Sequence, residues 1–140
     1  MVSEVSGYNG AIKAGPGQRS EIGDTCVISN GEQSLLITGY ERSAEERHLT
    51  NFAGSAAREG RVELPAELGK GSMGDHTIRG HPFRAAGAWF RCGDRRPLIT
   101  IYVKRNPARD QDHDLVQLMR IAQRRFAEMF TCDLGAPPPP

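Results

Sequence analysis

At 140 residues, 38% hydrophobic and 25% charged, the chain has room for one domain with one core and none for a second. Leu, Ile, Val and Phe spread along its middle exclude disorder throughout, and no apolar run approaches the roughly 18 residues that a spanning helix needs. The net charge of +1 hides an asymmetry: residues 1–67 carry 6 basic and 10 acidic side chains, whereas residues 79–125 carry 11 basic and 4 acidic. The second half therefore has a positive surface, either solvated or open to an anionic partner.

Residues 1–23, rich in Gly, Ser and Pro around Ala14-Gly15-Pro16-Gly17, read as a flexible lead-in with at most one helical turn near residues 8–13. One domain is expected over 24–133, followed by a Pro-rich tail over 134–140. TCVIS and QSLLITGY flank Asn30-Gly31, the dipeptide best suited to a two-residue hairpin because both positions tolerate positive φ.

Ser43 stands three residues before Glu46, a capping-box spacing that predicts a helix start. Leu49, Phe52, Ala53 and Ala56 then follow the i, i+3, i+4, i+7 stripe of a half-buried helix, and Gly60 offers a left-handed stop. Residues 61–74 break any regular period and read as a loop, either a lid or slack.

Three strands are expected next: HTIRG, AAGAWFRC and PLITIYVKR, the last two joined across residues 93–96. In the third, Ile99, Ile101 and Val103 share a core face, and Thr100, Tyr102 and Lys104 share a wet one. A helix is predicted from about residue 112 to 132. Asp110, Asp112 and Asp114 complement its dipole, and Leu115, Leu118, Met119, Ala122, Phe126, Met129 and Phe130 fall in one arc of roughly 120° to be buried. Gln117, Arg120, Arg124 and Glu128 lie opposite. The order predicts an α+β fold: an antiparallel sheet of about five strands with two packed helices, the second at the C-terminus.

Cys26 lies in the first expected strand, Cys92 ends another and Cys132 ends the last helix. None has metal-ligand spacing. A Cys92–Cys132 disulfide would pin helix to sheet; three reduced thiols in a cytosol are the other reading, and spacing leaves both open. Without the bridge, Cys92 beside Arg91, Arg95 and Arg96 sits in a setting that lowers a thiol pKa.

TCVI, AWFRC, the PLITIYV strand and a helix ending in Cys together resemble small secreted or membrane-anchored domains of unknown function from Streptomyces-type actinobacteria. The preponderance of Arg, 15 against 3 Lys, agrees with a GC-rich genome. The resemblance covers about residues 24–133 and names no activity. It implies an oxidising, extracytoplasmic compartment and so favours the Cys92–Cys132 bridge. Relatives of that kind carry a further N-terminal Cys as a partner for Cys26, and residues 1–23 here have none.

No G-x-S-x-G elbow, Walker loop, H-E-x-x-H or strand-to-helix G-x-G-x-x-G is present, so those reaction classes lack support. In DHTIRGH, Asp75, His76 and His81 come nearest to a general base or metal ligands. On one extended strand the two histidines point to opposite faces unless Gly80 bends the chain, and no metal or cofactor is expected. His48 and His113 fall on helices as solvent-facing residues.

Trp89, Phe90 and Tyr102 among arginines resemble a base-stacking platform, yet Trp89 and Phe90 alternate across one strand and at least one must be core. No nucleic acid is expected as a partner. The expected function is a noncatalytic extracytoplasmic module, either the exposed part of an anchored protein or one that binds a protein or cell-envelope ligand, with Arg91, Arg95, Arg96 and Tyr102 as binding candidates. The alternative is a small enzyme or thiol-dependent protein using His76 and His81 or Cys92, with the cytoplasm as the other compartment.

Overall fold

A computed structural model describes residues 13–19, 23–29, 34–56 and 60–134. The alternating apolar residues of Leu98–Lys104 form β7, the middle strand of a seven-stranded sheet ordered β1-β2-β3-β7-β6-β5-β4 and antiparallel at every pairing. The strands are β1 (Lys13–Arg19), β2 (Gly23–Ser29), β3 (Ser34–Glu41), β4 (Val62–Glu63), β5 (Lys70–Ile78), β6 (His81–Trp89) and β7. After β3 the chain leaves the sheet, forms helix α1 (Glu46–Gly54), re-enters at the far edge with β4, turns through a 3₁₀ segment (Ala66–Leu68) and walks back by hairpins. Helix α2 (Gln111–Phe130) closes the fold. This is the expected α+β architecture with its second helix at the C-terminus.

The two helices take opposite faces. Ile99, Ile101 and Val103 of β7, with Ala86, Ala88 and Phe90 beside them, pack on Leu115, Met119 and Phe126 of α2. Each large apolar side chain so buried contributes roughly 1.5–3 kcal/mol before entropy is subtracted. The arc expected on α2 is largely the buried one, with one correction: Met129 is 60% exposed. Met129 falls at the edge of that arc and faces outward, whereas its neighbour Phe130 packs at the margin of the core against Tyr40 of β3.

On the other face Leu49 packs against Ala44, Trp89 and Leu98, and Phe52 rests on Gly87. Trp89 satisfies its indole N–H with the carbonyls of Ala44 and Arg96, both at 3.1 Å.

Several local expectations are corrected. The lead-in contains β1, where Pro16 is tolerated because an edge strand needs no donor on its outer side; residues 1–12, where a helical turn was expected, lie outside the described residues. Pairing of β2 with β3 ends at Ser29↔Ser34, and Asn30-Gly31, where a two-residue turn was expected, lie outside the described residues. Helix α1 is capped at Glu45, whose amide donates to His48 Nδ1 at 3.1 Å, and not at Ser43. It ends at Gly54, where Arg61 reaches back to donate to the Ala53 carbonyl at 2.6 Å.

The run 61–74 is no loop. It holds β4, the 3₁₀ turn and half of β5, because its glycines serve close approach: a Cβ on Gly71 would fall onto the Gly87 carbonyl, and one on Gly74 would lie 2.9 Å from the Ala56 methyl. Nor is DHTIRGH one strand. Arg79 (φ 51°) and Gly80 (φ 80°) form a two-residue turn joining β5 to β6.

Gly87 offers a direct check of this packing. A Cβ there would lie 2.5 Å from the Phe52 ring, so Gly87→Ala is expected to cost about 1–3 kcal/mol by overpacking. Urea unfolding measures it, and an unchanged midpoint would mean that Phe52 does not hold α1 on the sheet.

Candidate functional site

Arginine chemistry divides this molecule into two ends. At the start of α2, arginines are matched by aspartates. Arg84, 5% exposed, donates from Nε to Asp112 Oδ1 at 2.6 Å, from Nη1 to Asp75 at 3.1 Å and from Nη2 to the Gly60 carbonyl at 2.7 Å. Burial alone would lower the Arg84 pKa; hydrogen bonds and charge from Asp112 and Asp75 overcome that and hold it above its ordinary value. Arg109 makes a two-pronged bond to buried Asp114 at 2.7 and 3.0 Å, and Arg105 lies 3.8 Å from Asp75. Buried Gln111 ties β7 to α2, donating to the Lys104 carbonyl and accepting from the Asn106 amide, both at 2.9 Å. Arg84 and Gln111 thereby hold the helix to the sheet.

The opposite end is built differently. Cys92, fully buried, is joined to Cys132 by a disulfide with Cα atoms 5.2 Å apart. The backbone reinforces it: Gly93-Asp94 is a tight turn between Cys92 and Arg95, the Gly93 amide donates to the Asp133 carbonyl at 2.7 Å, and Cys92 bridges to Leu134. The residues after α2 are thereby fixed against the β6–β7 connection. Thr131 ends the helix in the left-handed region at φ 49°, a costly conformation for a β-branched residue.

Around this closure, which Asp94 and Asp133 also border, stand arginines that make no ion pair among the described residues. The guanidiniums of Arg42 and Arg95 lie over the Phe130 ring, 5.5 and 5.2 Å from its centre. Among the described residues, Arg91, Arg96 and Arg124 make no ion pair or side-chain hydrogen bond. Arg91 and Arg124 border a cleft of about 530 Å³ between α2 and the Ala66–Leu68 turn, with Leu68 and Phe90 at its base and Leu134 at one wall. Arg120 also borders it but is paired with Glu67. Gln123, buried below, donates to the Leu68 carbonyl at 2.8 Å and fixes the width of the cleft.

The expected site residues are thus only partly brought together. Arg91, Arg95 and Arg96 share the disulfide end. Tyr102 does not: it lies on the α1 side, edge-on to Phe52 and His76 at 5.8 and 5.4 Å. Trp89 and Phe90 are both buried, so neither presents a stacking face. Cys92 is oxidised, which removes the thiolate that the alternative reading required. His76 and His81 sit on two strands of a hairpin, His76 buried and His81 exposed, and among the described residues no three His, Cys, Asp or Glu gather as a metal site. Cys26 stands in β2 opposite Thr38.

His76 is stacked 4.7 Å from Phe52, and its Nε2 is buried without a hydrogen-bond partner. Burial lowers its pKa below the ordinary value; Asp75 opposes this, and Arg61 and Arg84 add to it. The unfolded chain therefore takes up the proton first. Stability from this residue is complete above about pH 6.5 and falls as the pH drops from there towards the folded-state pKa. Thermal unfolding between about pH 7 and 5 should show a shallower loss of stability in His76→Phe than in the parent; equal slopes would contradict this.

Sequence reasoning missed the cleft because Arg120 and Arg124 read as solvated residues of a helix. Their four-residue spacing on the face away from the core was the available signal; Leu68 and Leu134, which complete the cleft, carried none. Among the described residues no helix is long and apolar enough to cross a membrane. Comparison with protein-family models, with curated proteins and with solved structures found no match to the chain.

Proposed function

We propose that this chain is a noncatalytic binding module that works outside the cytoplasm, secreted or anchored, and that its ligand is a protein or another component of the cell envelope. The observation that carries the reading is the Cys92–Cys132 bridge at the arginine-bearing end. Disulfides persist in oxidising compartments and are rare where thioredoxin and glutathione keep thiols reduced. This one holds the arginine-bearing end in place and leaves neither Cys92 nor Cys132 as a thiol. Unpaired arginines beside apolar side chains are what an interface needs, since a guanidinium adds both contact area and directed hydrogen bonds when a partner covers it. Arg84, Arg105 and Arg109 at the other end lie against aspartates, so they are not available to a partner in the same way.

Protease added to intact cells of the source organism tests the compartment. The module is expected to be digested without lysis or recovered from the medium; protection until lysis would contradict it.

A further inference from the structure

We infer that the cleft between α2 and the Ala66–Leu68 turn receives an acidic peptide segment, a stretch of a partner protein in which carboxylates flank an apolar side chain. The inference rests on the reading of the chain as a binding module and names the partner of that surface. Its first support is charge. Arg91 and Arg124 border the cleft without a carboxylate, while Glu67 already neutralises Arg120. Two guanidiniums with free donors match two carboxylates, and the planar fork binds each of them in a two-pronged way.

The second support is the base. Leu68 and Phe90 are almost wholly buried, and Leu134 at 43% exposed is the accessible apolar wall, so the cleft offers one apolar seat between charged rims. Gln117 at its edge has both a donor and an acceptor for a peptide backbone.

Geometry favours a peptide over the other polyanions. The cleft lies open to solvent between a helix and a turn, and its one exposed large apolar side chain is Leu134, which suits a single apolar residue of a chain and offers a bilayer no broad apolar face. A nucleic acid strand would need exposed rings on which to stack, and Trp89 and Phe90 are buried. The cleft is also held ready. Gln123 anchors one wall to the Leu68 carbonyl, and the disulfide anchors the segment that carries Leu134, so little ordering cost falls on binding.

The experiment is fluorescence polarisation with the whole oxidised chain and a short labelled peptide in which Asp and Glu alternate with Leu. A Lys-for-Glu counterpart, vesicles of phosphatidylglycerol and a labelled single-stranded oligonucleotide are the comparison probes. The acidic peptide is expected to bind at low salt and to weaken as salt is raised, because exposed charges are screened over about 8 Å at physiological ionic strength. The pair Arg91→Glu and Arg124→Glu should weaken it by about tenfold or more, while Arg47→Glu and Arg79→Glu, equal in charge but remote from the cleft, should leave it within about twofold. All four positions are solvent-accessible, and unchanged circular dichroism shows that the variants are folded.

Absence of binding at low salt, binding indifferent to the cleft pair, or stronger retention by vesicles or oligonucleotide than by the peptide would each overturn the inference. The two readings fail separately. A chain digested on intact cells that ignores the peptide loses only the cleft assignment, and a chain protected inside cells that binds the peptide loses only the compartment.

Discussion

Replacing both Cys92 and Cys132 with alanine is expected to lower stability by about 4 kcal/mol. The bridge closes a loop with a sequence separation of 40, and the chain-entropy account assigns a loop of that size a cost on this order in the unfolded state. The effect should be uneven across the molecule. Without the bond only the Gly93 to Asp133 hydrogen bond and the Cys92–Leu134 pairing hold the segment after α2, and left-handed Thr131 no longer has a covalent reason to keep its conformation. Hydrogen exchange should therefore rise first at the end of α2 and in residues 131–134, with the sheet centre following the global loss. A double variant with the urea midpoint of the parent would show that the bridge closes nothing the fold does not already hold.

Arg84→Met is expected to cost about 3 kcal/mol. The side chain is buried between β6 and α2, and its hydrogen bonds reach Asp75, the Gly60 carbonyl and Asp112. Methionine fills much of the volume but leaves Asp112 without its cation, Asp75 with only Arg105 at 3.8 Å, and the Gly60 carbonyl without its donor. Asp75 and Asp112 are partly exposed and recover some hydration, which keeps the loss at the lower end of what breaking a buried pair costs. The single changes Asp75→Asn and Asp112→Asn should each cost less than Arg84→Met, since Arg84 retains one carboxylate in either. Equal stability of Arg84→Met and the parent in urea unfolding would show that the pairs hold α2 no better than an apolar contact.

The elements that were legible in the sequence are those whose signal is local. Alternation in PLITIYVKR located β7 and its core face, and the apolar spacing of Leu115, Met119 and Phe126 located α2. Cysteines at the ends of two elements brought the bridge into view as one of two options. What was not legible depends on partners distant in the chain. Gly71 and Gly74 read as loop formers because glycine in a turn and glycine under a close neighbour look alike until the neighbour is known. Asp112 read as a helix-dipole residue, which it is, but its pairing with Arg84 spans 28 positions. Gln123 had no sequence signal at all, since its partner is the Leu68 carbonyl 55 positions away.

The candidate site follows the same division. Arg91, Arg95 and Arg96 were identifiable as a basic cluster beside Cys92, and the structure keeps them at one end. Tyr102 was grouped with them because β7 and β6 are neighbours, but strand parity sends its ring to the α1 face. The cleft itself is made by packing: a turn, a helix face and a chain end meet there only because the bridge and Gln123 hold them.

The proposed compartment and the proposed binding surface both rest on that bridge, so the most direct measurement is its state in the cell. Cells of the source organism are quenched in acid and alkylated at once, and the native protein is mapped without reduction. The account predicts a linked peptide pair containing Cys92 and Cys132, with neither residue alkylated. Recovery of both as alkylated thiols would contradict it.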